Sequence, residues 1–253
     1  MMNRQKLHNA LIFAICLLPI SAVAAFFSIL YQIDMFDAAM LAEVTAQMGS
    51  TTVLIAVYIF QIVIYVFVCG FVGYLLADRL GLMQPVRLEK RKLLRTVMVS
   101  VMGGVLFALD YWTFGLWIPG IQESTSATLE WKVIAVSVLY GGIVEEVMLR
   151  LFMMSLIAWI LWKVFFRQRQ TVPAGVIIAA NVIAAILFAA GHLPATQMLF
   201  GTLTPLILVR CFLLNGGFGM LFGWLYRKYG IQYAMISHAL LHIVSKLIWF
   251  IFV

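Results

Sequence analysis

The chain has 253 residues, of which 64% are hydrophobic and only 11% are charged, and its mean hydropathy is +1.06. Soluble domains carry about 25% charged residues, so this composition excludes a soluble globular protein and indicates one that crosses a membrane several times. The net charge of +7 does not indicate a nucleic-acid partner, because the basic residues form short clusters between apolar runs, as in the cytoplasmic loops of membrane proteins.

Seven apolar runs are long enough to cross the roughly 30 Å of hydrocarbon in a bilayer. Each run must be helical, because a helix satisfies its own backbone hydrogen bonds within lipid. The sequence therefore predicts an all-α, polytopic integral membrane bundle of about seven transmembrane helices. In chain order the predicted spans are Ala10 to Leu30, Thr52 to Ala77, Val97 to Ile118, Trp131 to Trp162, Ala174 to Gly191, Leu206 to Tyr226 and Ile231 to Phe252.

The first run imitates a secretory signal peptide. Arg4 and Lys6 precede it, and Ala22 and Ala24 are spaced as in a cleavage site. The run continues to Leu30, however, which is long for the apolar region of a signal peptide. We therefore expect a retained span rather than a cleaved signal.

The charges predict how the spans are oriented. Cytoplasmic loops of membrane proteins are enriched in Lys and Arg, and an N-terminus placed inside agrees with that rule. The predicted outer segments then carry the acidic residues Asp34, Asp37, Glu43, Glu123 and Glu130. The predicted inner segments hold 13 of the 17 basic residues, namely Arg4, Lys6, Arg79, Arg87, Lys90, Arg91, Lys92, Arg95, Lys163, Arg167, Arg169, Arg227 and Lys228.

The three cysteines give no sign of a disulfide framework or a thiolate metal site. Cys16, Cys69 and Cys211 all lie in apolar runs and show no CxxC spacing. We expect all three to be buried small hydrophobic residues.

Two glutamates and an arginine interrupt the fourth run. A charge near the bilayer centre costs about 2.5 to 3.5 kcal/mol on insertion scales, so such residues face a protein interior and usually have a function. Glu146 and Arg150 are four residues apart and can pair along a helix. Glu145 points about 100° away on an α-helix. Gly141 and Gly142, one turn earlier, leave its face open to another helix or to a substrate.

Three histidines fall in the later runs. Asn181, Phe188 and His192 share one helix face, and His238 lies one turn before His242. Singly, a membrane histidine can be no more than a hydrogen-bonding residue between helices. An unpaired carboxylate and three histidines on three helices are more than packing requires, and they indicate a polar site.

Counting residues tests whether these groups lie at one depth. At 1.5 Å per residue, Glu145 lies roughly 20 Å below Lys132, and His238 lies roughly 22 Å below the C-terminus. Pro194 predicts that His192 lies at the end of a helix. The uncharged segment that follows can nevertheless lie within the membrane, which brings His192 to the same level.

Other polar residues have simpler interpretations. Asp110 and Arg210 are expected to line a pore or to extend toward the interface, and Lys246 to snorkel to the membrane surface near the C-terminus. Gly219 and Gly223 form a GxxxG pair that predicts a helix-packing face.

These motifs resemble those of the CPBP family of intramembrane proteases, which includes CAAX prenyl protease 2 of the Rce1-like type and the bacterial Abi type. The stretch "EEVMLR" resembles the EExxxR motif of the family, "FAAGH" resembles its FxxxH motif, and "GMLFGWLYRKYGIQYAMISHALLH" resembles the segment that leads to its HxxxN motif. The resemblance covers Trp131 to the C-terminus. The last motif departs from the family, because His242 stands where Asn is usual.

The resemblance implies an intramembrane endopeptidase that acts on a membrane-associated protein or peptide, with or without a prenyl group, in the plasma (inner) membrane of a bacterium. It implies a single membrane domain over residues 1–253, with variable N-terminal spans over 1–130 and a catalytic core over 131–253. The implied catalytic residues are Glu145, which activates water, and the histidines His192, His238 and His242; the implied structural support comes from Glu146, Arg150 and Phe188.

Two questions remain open from the sequence. Glu145, His192 and His238 are also a plausible zinc-binding set, although a metal-independent glutamate mechanism without a cofactor is favoured because the zinc motif HExxH is absent. In addition, a non-enzymatic scaffold or bacteriocin-immunity protein would bind a peptide or partner in the same cavity. A proton-coupled transporter is less favoured, since no inverted repeat is evident.

Overall fold

A computed structural model describes residues 4–127 and 129–253 of the chain, and those two ranges contain helices and turns but no strand. Seven helical segments are long and apolar enough to cross a membrane. The predicted all-α bundle of seven spans is therefore confirmed, and the chain is an integral membrane protein. The spans are Arg4–Met35 (span 1), Thr51–Leu80 (span 2), Lys90–Leu116 (span 3), Trp131–Phe165 (span 4), Ala174–Phe200 (span 5), Pro205–Tyr229 (span 6) and Ile231–Phe252 (span 7).

Several connections contain helical turns that the sequence did not predict. The helix Ala38–Met48 joins spans 1 and 2, and the Asp37 side chain caps it by accepting a hydrogen bond from the Met40 backbone N–H at 2.8 Å. A second short helix, Ile121–Ala127, precedes span 4. Span 3 begins at Lys90, seven residues before its predicted start, because the basic residues before Val97 continue the helix.

Ion pairs fasten span 1 to its neighbours. Lys6 Nζ lies 2.6 Å from an Asp78 carboxylate oxygen at the end of span 2. Lys132, at the start of span 4, donates to the Asp34 carboxylate near the end of span 1. Span 1 also packs along the length of span 2, so it forms part of the bundle.

Glycines let span 7 approach spans 3 and 4 closely. A Cβ added at Gly104 would lie 2.6 Å from Val244 Cβ and 2.9 Å from the Leu241 carbonyl oxygen. A Cβ added at Gly142 would lie 3.0 Å from Ala239 Cβ. Larger residues at these two positions would push span 7 away from spans 3 and 4.

Span 4 departs from α-helical winding around the charged motif. It is α-helical over Trp131–Ala135, π-helical over Val136–Glu145 and Val147–Met154, and α-helical again over Ser155–Phe165. A π-helix closes its hydrogen bonds between residues five apart, is rare, and is frequently found at functional sites. The α-helical geometry assumed for this segment is therefore wrong, although the span itself was predicted.

Candidate active site

Glu145 meets two of the predicted histidines. One carboxylate oxygen, Oε1, lies 4.0 Å from His192 Nε2, and the other, Oε2, lies 3.9 Å from His238 Nε2. The Glu145 side chain is 20% exposed, so it is partly open rather than sealed in the core. Spans 4, 5 and 7 each contribute one of these three side chains.

His192 lies at a break between two helical segments of span 5. The helix Ala174–Gly191 ends just before it, and Leu193–Phe200 starts a new helix that carries Pro194 in its first turn. His192 Nδ1 lies 2.8 Å from the Phe188 carbonyl oxygen, which can only accept a hydrogen bond. Nδ1 therefore carries a proton, and in the neutral imidazole Nε2 faces Glu145 as an acceptor.

His238 is held by the second glutamate. Its Nδ1 donates to Glu146 Oε1 at 2.9 Å, while the other oxygen of Glu146 lies 3.5 Å from Arg150 Nε. Glu146 and Arg150 are 0% and 1% exposed, and Arg150 Nη2 also donates to the Gly219 carbonyl oxygen at 3.2 Å. The predicted Glu146–Arg150 pair is present, and it orients His238 in addition, which the sequence did not predict.

Two aromatic rings enclose these charged groups. The Arg150 guanidinium lies 4.6 Å from the centroid of the Phe188 ring and 5.6 Å from that of Phe222. Phe222 also stacks on the His238 ring, with centroids 4.4 Å apart and planes inclined by 16°. Sequence reasoning missed Phe222, although its place between Gly219 and Gly223 marked it as part of a packing face.

Gly141 explains how span 7 comes so close to Glu145. A Cβ at this position would lie 3.2 Å from His238 Nε2 and 3.8 Å from Glu145 Oε2. The face next to Glu145 is thus open to another helix, as expected, and span 7 is that helix.

His242 lies farther from Glu145 than the other two histidines. Its ring centroid is 5.2 Å from that of His238 and 5.5 Å from that of Phe107, whose ring meets it edge-on. Its Nδ1 is buried and has no hydrogen-bond partner within residues 4–127 and 129–253. A role for His242 in the reaction remains a prediction.

The expectations for several other residues need correction. Asp110 and Arg210 neither line a pore nor snorkel but pair, with Arg210 Nε 2.8 Å from Asp110 Oδ1. Lys246 does not snorkel, since only 6% of the residue is exposed. Among the cysteines, Cys211 alone is buried, whereas Cys69 is half-buried and Cys16 is exposed.

The zinc alternative can be compared with the arrangement of the side chains. Glu145, His192 and His238 offer the oxygen and nitrogen atoms that zinc takes, and both imidazoles have Nδ1 fixed by an acceptor, as zinc-bound histidines do. In the described ranges, however, no group of three His, Cys, Asp or Glu residues is spaced to hold a metal ion. The absence of a metal cofactor stays a prediction.

A partly buried carboxylate between two imidazoles in a seven-span bundle is the arrangement of a polar site within the membrane. The family described as "Type II CAAX prenyl endopeptidase Rce1-like" matches residues 127–244, a range that contains all of the residues discussed around Glu145. Over these residues the chain is similar to the Rce1-like family of proteases, as the motifs predicted. Comparisons with curated proteins and with solved structures found no match.

Proposed function

We propose that the protein is an intramembrane endopeptidase in which Glu145 activates a water molecule to hydrolyse a peptide bond of a membrane-associated substrate. The observation that carries the proposal is the 4.0 Å separation of Glu145 Oε1 and His192 Nε2. Both atoms are acceptors, and a water that donates a hydrogen bond of about 2.8 Å to each would join atoms roughly 4 to 4.5 Å apart. One water molecule therefore fits between them with both of its protons engaged.

The reaction follows from this position. Glu145 removes a proton from the water, and the resulting hydroxide attacks the substrate carbonyl carbon, which forms a carbon–oxygen bond and a tetrahedral oxyanion. Glu145 then returns the proton to the amide nitrogen, the carbon–nitrogen bond breaks, and a carboxylic acid and an amine form. The acid then transfers its proton to the amine, so that a carboxylate and an ammonium group leave. His192 orients the water throughout as a neutral acceptor.

His238 is placed to stabilise the oxyanion. Its Nδ1–H is engaged by Glu146, so its Nε2 donates a hydrogen bond only in the protonated imidazolium form. Losing one oxyanion donor costs about 10²- to 10³-fold in turnover, and we assign this role to His238.

The test separates an enzyme from a protein that only binds. Purified wild-type protein and the Glu145→Gln and His192→Ala variants are incubated in detergent with a fluorescent prenylated peptide, and its fragments are identified by mass spectrometry. We expect cleavage by the wild type and none by Glu145→Gln. A scaffold or immunity protein would retain the peptide intact in all three samples.

The same assay addresses the metal. We expect the wild-type protein to retain its activity in the presence of a chelator and to contain no zinc by elemental analysis. Activity that is lost with the chelator and restored by zinc would contradict the metal-independent mechanism.

A further inference from the structure

Lys246 is a buried cation on the helix that carries His238. It is 6% exposed, and it forms no ion pair or hydrogen bond with any residue in the described ranges. Arg150 and Arg210, the other two basic residues embedded among the later spans, are each paired with a carboxylate. A buried charge without a counter-ion is costly. We therefore expect an anion from outside the described residues to pair with the Lys246 ammonium group.

The position of Lys246 relates it to the reaction centre. His238, His242 and Lys246 follow one another at intervals of four residues along span 7, which places them in a row on one side of the helix. Lys246 is also within electrostatic range of His242. Eight residues of α-helix separate the level of His238 from that of Lys246 by about 12 Å.

We propose that Lys246 binds a carboxylate of the substrate on the C-terminal side of the bond that is cut. An extended peptide covers about 3.3 to 3.6 Å per residue, so two to four residues lead from a carbonyl at Glu145 to an anion at Lys246. The inference rests on the proposed function and makes Lys246 a residue that determines specificity. The C-terminal fragment released by hydrolysis carries this carboxylate and the new amine.

The main-chain terminal carboxylate is the favoured source. A peptide that ends at Lys246 brings one negative charge, which Lys246 neutralises. No part of that peptide has to continue past Lys246. An acidic side chain of the substrate at the same distance has the same chemistry, but the substrate peptide would then continue past Lys246 among the helices. The two sources can be distinguished with three synthetic peptides.

The probe is a fluorescent seven-residue peptide whose fourth residue is a farnesylated cysteine followed by three apolar residues. It is made with a free C-terminal carboxylate, with a C-terminal amide, and with an amide after a final aspartate. Cleavage is measured as kcat/KM for the wild type and for Lys246→Met, Lys246→Arg and the control Lys163→Met. Lys163 is an exposed lysine beside Trp162 at the far end of span 4, so its loss removes an equal charge away from the site.

We expect the wild type and Lys163→Met to prefer the free acid over the amide by roughly 10- to 100-fold, the usual contribution of a charged hydrogen bond. Lys246→Met should lower kcat/KM for the free acid by that factor and leave the amide within about 3-fold. Lys246→Arg should keep part of the preference. Restored cleavage of the aspartate peptide would support the site and add side-chain carboxylates as ligands.

Equal cleavage of acid and amide by the wild type, or an equal loss on both in Lys246→Met, would overturn the inference while the proposed hydrolysis stands. A binding measurement separates the two ideas further. Fluorescence anisotropy of the intact peptides with Glu145→Gln should show the same preference for the free acid, lost when Lys246→Met is added. Selective binding without any cleavage by the wild type would reject the proposed function and keep the carboxylate site.

Discussion

Glu145 and Glu146 are neighbours in the sequence, yet their side chains have different surroundings. Glu146 is fully buried and lies between Arg150 and the Nδ1 of His238. Glu145 is partly exposed and faces the Nε2 atoms of two histidines, each about one water molecule away. The first arrangement holds a structure together, while the second leaves room for a reactant.

Separate substitutions at Glu145 and at Arg150 should distinguish loss of function from loss of stability. We expect Glu145→Gln to abolish cleavage and to leave the melting temperature in detergent near the wild-type value, because its side chain is not part of a buried ion pair. Arg150→Ala should destabilise the fold by about 3 to 5 kcal/mol, since it leaves Glu146 buried without its cation. An equal loss of folding in both variants would argue against a catalytic Glu145.

His242 gives a second prediction at this scale, because it stands where the family usually has Asn. If it donates a neutral N–H to the oxyanion, His242→Asn should keep substantial activity and His242→Ala should lose about 10²- to 10³-fold in kcat. If His242 instead binds zinc, both variants should lose activity to a similar extent and should contain less metal. Unchanged turnover and melting temperature in both would reduce His242 to a packing residue.

At the scale of elements, the site depends on how closely span 7 packs against spans 3 and 4. Gly104 and Gly142 pack so closely against span 7 that an added Cβ would lie within 3.0 Å of it. His238 directly precedes Ala239, which Gly142 contacts, so the distance of its ring from Glu145 follows the position of the whole span. The packing of the helices thus sets the distance between Glu145 and His238.

Substituting glycines should show this dependence directly. Gly104→Ala places a methyl group against the Leu241 backbone and should destabilise the protein by about 1 to 3 kcal/mol, with reduced cleavage. Gly175→Ala is the matched control, because nothing lies within 4 Å of an added Cβ there, and it should be neutral or stabilising by up to about 1 kcal/mol. Thermal unfolding of both in the same detergent is the measurement. Equal stability of the two variants would show that the close approach of span 7 is not required.

For the whole molecule, hydrophobic run length was enough to predict all seven spans, because the cost of unpaired backbone groups in lipid leaves few alternatives. The meeting of Glu145, His192 and His238 followed from motif order and helical depth. The π-helical winding of span 4, the stacking of Phe222 and the burial of Lys246 depend on packing between distant segments. No local pattern in the sequence encodes them.

The orientation of the bundle is a further prediction at this scale. The distribution of Lys and Arg predicts that the N-terminus is inside and, with seven spans, that the C-terminus is outside. A C-terminal alkaline phosphatase fusion in a bacterial host should therefore be active, and a C-terminal green fluorescent protein fusion should be dark. The reverse result would show that the positive-inside rule fails for this chain.

The π-helical part of span 4 also affects how far Glu145 is from water. An α-helix of 35 residues would be about 52 Å long, well beyond the roughly 30 Å of hydrocarbon, and span 4 has that number of residues. A π-helix rises less with each residue, because every turn holds more of them. Both ends of span 4 are consequently nearer to Glu145 than a residue count gives. The shorter span needs less tilt to match the bilayer thickness, and the path from the membrane surface to the Glu145 carboxylate is shorter.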